Sequence, residues 1–263
     1  MSTFIMKKPA ITALALAVCG GASGQEPVKQ LDSAQFAKDL SVRAEVGWQA
    51  KNVFRGKERS DEDGLFQTKV GVEYFVPGVS GLSAYASFFN ADAIERSYAY
   101  GLRKTVGDAV VDAGYLRMTS PSAKFFSNAA QGFTQLRAED EAYLGVILPK
   151  SFLQPALYVN YGFNLDQVVV EGSLYHDFKE VGPFKLDVTL RGFAGNLFAN
   201  DALDDGSGAQ NAYAYAGAGL DLSKSVGQGS VIGVGVNYAV NNDNLAATRN
   251  SQVWTGVFAK FRF

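Results

Sequence analysis

An all-β transmembrane barrel, antiparallel and up-and-down with about twelve strands and periplasmic termini, is the fold this sequence predicts. Three observations predict it. From Ser41 onward, apolar residues recur at period two in one segment after another. The chain closes on such a segment, Val253 to Phe263, and its final residue is an aromatic. Its opening residues read as an export signal. Alternation marks strands with one apolar and one polar face, and about 10 alternating residues suffice for a tilted strand to cross a bilayer. A terminal strand frays unless something pairs with it, and a closed barrel supplies that partner.

The export signal comes first along the chain. Lys7 and Lys8 precede the short apolar run Ile11 to Val18, which is followed by Gly20-Gly21-Ala22-Ser23-Gly24. Positive flank, short apolar region and small-residue exit make a secretory signal peptide over 1–24, with cleavage expected after Gly24. Met6-Lys7-Lys8 would itself serve as a start. Cys19 follows Leu16-Ala17-Val18, as in a lipobox, although Val18 stands where a smaller residue is wanted. If the signal is removed, so is the one cysteine, and disulfide, thiolate and cysteine–zinc chemistry go with it. Residues 25–40 are expected to be a polar periplasmic leader, and 41–263 the barrel.

Composition agrees. A 47% hydrophobic content and a mean hydropathy of −0.02 suit a barrel that is apolar outside and polar inside. Nineteen Phe, 12 Tyr and 28 Gly against 7 Pro suit twisted strands with aromatic girdles. A net charge of −2 gives no electrostatic case for nucleic acid.

The strands follow in order. Val42, Ala44, Val46 and Trp48 alternate with Arg43, Glu45, Gly47 and Gln49; Phe66 to Val76 repeats the pattern and runs into the tight turn Pro77-Gly78-Val79-Ser80-Gly81. Segments from Leu82 and Ser97 form the next pair, then Val111 to Tyr115 after a turn at Gly107-Asp108. Ala142 to Leu148, Leu157 to Phe163 and Val168 to Leu174 continue the series. Phe184, Leu186, Val188 and Leu190 stand opposite Lys185, Asp187, Thr189 and Arg191, the cleanest alternation in the chain. Tyr213 to Leu222 is weaker, and Asp221 argues that its odd positions face inward. Ile232 to Val240 and the terminal segment complete twelve. Compact turns follow every second strand, whereas 54–64, 119–139, 195–208 and 241–250 are longer or richer in Asp, Asn and Ser and read as external loops.

Two resemblances sharpen this. The terminal strand, with Phe261 and Phe263 on its apolar face, resembles the signal by which outer-membrane barrels are recognised for assembly, which implies the barrel-assembly machinery as a partner. Gly47-Trp48-Gln49-Ala50-Lys51-Asn52-Val53-Phe54-Arg55-Gly56, with Asp61-Glu62-Asp63-Gly64 after it, resembles the opening strand and first loop of the TorF-like porins, a family of bacterial outer-membrane barrels. That resemblance implies a porin-like protein of the bacterial outer membrane, among lipid and lipopolysaccharide, and carries no catalytic residues, cofactor or named solute.

The residues themselves point the same way. His176, the one histidine, shares the outward parity of Leu174, away from any nucleophile or carboxylate, so histidine-based hydrolysis is not expected and the chain is not read as an enzyme. Asp201-Ala202-Leu203-Asp204-Asp205-Gly206 lacks an oxygen ligand at Leu203 and the glutamate needed at Ala212, so it is no EF-hand and no metal site is expected. Parity instead sends Lys69, Glu73, Arg103, Asp112, Glu141, Glu171, Lys185, Asp187 and Arg191 inward, where they are the expected pore-lining residues. Charges left dry and unpaired there would be costly, so the interior is either wet or a salt-bridged plug. The expected function is passive diffusion of small hydrophilic solutes or ions; the alternative is a closed structural or adhesive barrel acting through its extracellular loops.

Overall fold

The structure, a computed structural model, describes residues 39–58, 64–92, 94–119, 138–164, 166–199, 212–242 and 251–263. The expected signal peptide, nearly all of the leader, most of the long connections and the Asp201 to Gly206 segment lie outside the described residues.

Among the described residues there are fourteen strands: β1 (Leu40–Gln49), β2 (Val53–Phe54), β3 (Lys57–Glu58), β4 (Leu65–Phe75), β5 (Leu82–Ala91), β6 (Glu95–Val106), β7 (Ala109–Thr119), β8 (Ala138–Ile147), β9 (Ala156–Gly162), β10 (Gln167–Val181), β11 (Leu186–Ala199), β12 (Tyr213–Gly227), β13 (Ser230–Asn241) and β14 (Ser251–Arg262). Twelve of them, β1 and β4 to β14, close an antiparallel barrel in which each strand pairs with its neighbours in sequence. The closure joins β1 to β14, with Arg43 opposite Arg262 and Gln49 opposite Gly256. Phe263 is held as well: its N–H donates to the Val42 carbonyl at 3.0 Å, and its carbonyl accepts from the Val42 N–H at 3.2 Å.

Strand faces follow the period-two reading. Val70, Val72, Tyr98, Tyr100, Leu102, Leu144, Val159 and Val236 stand exposed on the outer wall, an apolar belt far larger than water tolerates on a soluble protein. The turn between β12 and β13 is tight because Gly229 adopts φ +70°, which L-residues with a Cβ resist. At the same end, the strand that begins the cleanest alternation starts later than the sequence suggests. Phe184 and Lys185 belong to the turn after β10, Lys185 with φ +50°, because β10 extends to Val181.

Inside, the barrel departs from a wet polar lumen. One apolar cluster includes Tyr85, Phe89, Leu116, Met118, Tyr143, Ile147 and Tyr158 on β5 to β9. A second gathers Val169, Phe193, Leu197, Tyr213, Tyr215, Ala239 and Trp254 with Val53. The rings are accommodated by glycines: Tyr85, Tyr143 and Tyr158 sit directly opposite Gly101, Gly114 and Gly145 on neighbouring strands, so each ring covers the backbone where no side chain stands. A Cβ added at Gly145 would overlap the Tyr158 ring, whereas one at Gly172 would meet only the Ala156 carbonyl at 3.8 Å. Gly145→Ala is therefore expected to cost about 1–3 kcal/mol by overpacking. Denaturant unfolding of the refolded barrel should show that loss and show Gly172→Ala close to wild type.

The largest departure concerns 54–64. Read as an external loop, its described part 54–58 instead turns back into the barrel: β2 and β3 pair as a hairpin, Val53 opposite Glu58. Asn52 and Val53 are fully buried, Arg55 nearly so. The physical reason is visible in Val53-Phe54, too apolar for water: Val53 joins one internal cluster and Phe54 packs on the other. Arg55 (φ +49°) and Gly56 (φ +77°) turn between them in the left-handed pair that a two-residue hairpin demands.

Candidate functional site

Beneath this hairpin lies a cavity of about 820 Å³. Its wall is made by inward positions of β1, β4 and β10 to β14, and it reaches the turn residues Lys185, Gln228 and Gly229 at the short-turn end of the barrel. Gln49, Gln67 and Phe89 bound it on the hairpin side. Eight Lys or Arg and five Asp or Glu line it.

The nine inward residues expected from parity divide into two groups. Lys69, Lys185, Asp187 and Arg191 line the cavity; Glu73, Arg103, Asp112, Glu141 and Glu171 do not. The second group is taken up in bonded networks. Glu73 Oε1 accepts Ser83 Oγ at 2.7 Å and Arg103 Nη1 at 3.4 Å, while its Oε2 accepts Arg43 Nη2 at 3.4 Å. Arg103 Nε reaches Asp112 Oδ2 at 3.1 Å and its guanidinium lies 3.9 Å from the centre of the Tyr85 ring. Asp112 also accepts the hydroxyls of Tyr85 at 2.7 Å and Tyr158 at 3.0 Å, and Tyr85 bonds the Tyr143 hydroxyl. Glu73, Arg103 and Asp112 are thus buried with opposite charges and further polar partners, the condition under which buried ions are tolerated.

The hairpin is fastened in the same manner. Arg55 donates through both terminal nitrogens to the two oxygens of Glu141 on β8, at 2.7 Å each. Asn241 Nδ2 on β13 donates to the Gly56 carbonyl at 2.6 Å. Lys51 bridges Glu58 at 2.9 Å and Gln252 of β14 at 3.0 Å. Nearby, the Tyr215 hydroxyl donates to Glu171 at 2.6 Å. The hairpin therefore spans from β14 and β13 to β8 and obstructs the lumen above the cavity. Parity reasoning missed Arg55 because a six-residue excursion carries no usable period; the apolar pair followed by Arg-Gly was the available signal.

The cavity wall along β10 to β12 is electrically matched. Lys179 lies 2.5 Å from Asp177 and also bonds Asp187. Arg191 donates to Asp221 at 2.6 Å and Asn237 at 3.1 Å. His176 stays on the outer wall at the short-turn end, between the rings of Phe152 and Phe178 at 4.0 and 4.3 Å, its Nδ1 2.6 Å from the Phe152 carbonyl. Phe261 and Phe263 also stand on the outer face, Phe263 the more exposed.

No protein-family model and no curated protein matches the chain. Solved barrels resemble it at low identity. The NanC porin in its rhombohedral crystal form is similar with a TM-score of 0.48 and 11% identity, over 84% of this chain and 98% of that one. The KdgM porin is similar at 0.47 and 8%, over 85% and 99%. OccAB3 of Acinetobacter baumannii is similar at 0.42 and 11%, over 87% of this chain and 66% of its own. No residue role and no solute is carried over from any of them.

Proposed function

We propose that the chain is a porin-like barrel of the bacterial outer membrane that lets small hydrophilic solutes or ions diffuse down a gradient. The observation that carries this reading is the charged cavity of about 820 Å³ inside a barrel whose outer wall is apolar. No reaction is involved: the barrel supplies a wet path through lipid, and side chains along it filter what passes. On this reading the apolar belt meets membrane lipid, the long connections meet lipopolysaccharide, and the short turns face the periplasm. The signal peptide delivers the chain to that compartment and the assembly machinery inserts it.

The hairpin across the lumen favours a second reading, a closed structural or adhesive barrel acting through its loops. Planar-bilayer recording of the folded protein separates the two. Steady conductance, in the wild type or once the hairpin is released, supports the channel; its absence in both supports the closed barrel.

Orientation has its own test. A cysteine at Gly227, where an added side chain meets nothing within 4 Å, should resist an impermeant thiol reagent on intact cells. Cysteines in the connections 120–137 or 200–208, between the strands that bound them, should label. The reverse pattern would invert the barrel.

A further inference from the structure

The cavity's charge is not spread evenly. Across it, the β10 to β12 wall pairs Lys179 with Asp177 and Asp187, and Arg191 with Asp221. On the wall made by β4, β1 and β14, two arginines meet. In the β1–β14 register Arg43 faces Arg262 directly, an arrangement of like charges that antiparallel pairs avoid. The carboxylate within reach of Arg43, Glu73, is divided among Ser83, Arg103 and Arg43, and its field is also the one that reaches Arg262. Two nitrogens of the Arg43 guanidinium, Nε and Nη1, are buried without a hydrogen-bond partner. Two residues further along β1, Glu45 stands opposite Lys69 on one side and Lys260 on the other.

Arg43, Arg262, Lys69 and Lys260 thus stand close together on one wall, and all four, with Glu45, line the cavity. A recess with low-dielectric walls concentrates such a field toward its opening. Guanidinium groups present a planar fork of donors that matches a carboxylate or phosphate through two bonds at once. An oxyanion between Arg43 and Arg262 would relieve their repulsion and accept hydrogen bonds from the guanidinium groups.

We propose that the β1–β14 wall of the cavity binds small oxyanionic solutes, through a carboxylate or phosphate group held by Arg43 and Arg262 with Lys69 and Lys260 beside them. The proposal rests on the channel reading and names the solute class that the channel would favour. Binding can nevertheless be measured without conduction. Sodium succinate and inorganic phosphate, titrated separately into the folded barrel in neutral detergent at low ionic strength, should give saturable heats of binding with at least one of them.

Arg43→Gln combined with Arg262→Gln should weaken that binding at least about tenfold, and Arg262→Gln alone, which leaves the Arg43–Glu73 contact in place, by an intermediate factor. Lys150→Gln, on an exposed turn paired with Asp108, should leave it unchanged. Preference for succinate would identify carboxylate-bearing solutes, preference for phosphate would identify phosphate-bearing ones, and comparable binding would identify a general oxyanion site. Absence of binding to the wild type, or wild-type affinity in a folded Arg262→Gln variant, overturns the proposal. The channel reading fails on different data, namely the lack of any conductance even with the hairpin released.

Discussion

Arg55→Ala is expected to raise bilayer conductance severalfold over the wild type, by freeing the hairpin that obstructs the lumen. The bidentate pair with Glu141 is the strongest polar tie between β2–β3 and the far wall. Removing Arg55 leaves Glu141, fully buried, as a carboxylate without its guanidinium, at a cost of about 3–5 kcal/mol. What still holds the hairpin is the hydrogen bond from Asn241, worth about 0.5–1.5 kcal/mol, the Lys51 bridge from Glu58 to Gln252, and the burial of Val53 and Phe54, worth about 1.5–3 kcal/mol for Val53. The loss is comparable with these remaining attachments, so the docked state weakens and water follows Glu141. Arg55→Met with Glu141→Leu provides the contrast. It removes both charges together and keeps apolar contact, so the hairpin should stay docked and conductance should not exceed that of the wild type. Equal conductance in Arg55→Ala and wild type, with both folded, would mean that the hairpin is not the obstruction.

Phe261→Asp with Phe263→Asp should abolish accumulation of folded barrel in the outer membrane while leaving refolding into detergent micelles nearly normal. Magnitudes separate the two arms. The chain end lies at the rim with the short turns, where Arg or Lys on the lipid face costs about 0–1 kcal/mol and an acid less. Backbone pairing of β14 to β13 and β1, including the Val42–Phe263 bonds, is untouched by the substitutions. A small folding penalty cannot empty the membrane; loss of a recognised terminal aromatic strand can. Outer-membrane levels equal to wild type would remove Phe261 and Phe263 from the assembly signal, and failure to refold in micelles would assign them a structural role instead.

Strands were legible in this sequence because one face of each had to be apolar and the other did not. Val42 to Gln49 and Val253 to Phe263 could be oriented from parity alone, and so could Asp221 in the weak segment from Tyr213. Parity reports which wall a side chain faces, however, and not what it meets there. Glu73, Arg103 and Asp112 read as charges for a passing solute, yet they are locked together with Tyr85 and Tyr158. Arg191 is likewise neutralised by Asp221. Arg103 and Asp112 meet across one short turn, but Tyr158 reaches Asp112 from two strands away, and no local pattern encodes that meeting. The inward aromatics were misleading for a related reason: Tyr143 and Tyr158 resemble interfacial girdle residues until Gly114 and Gly145 are seen opposite them. The hairpin was hidden because six residues are too few for periodicity to register.

The meeting of Arg43 and Arg262 also bears on how the barrel forms. These residues lie near opposite ends of the described chain and face each other only when β1 and β14 zip together. In a sheet that grows hairpin by hairpin, this is the contact made last, because every other strand pairs with a neighbour in sequence. Repulsion between the two guanidinium groups therefore falls on the final step, where it raises the barrier to joining the edges. Dissolved anions that screen or bridge the pair lower that barrier. Refolding followed in time should consequently show a late closing phase that quickens as phosphate is added, and Arg262→Gln should close at the fast rate without it.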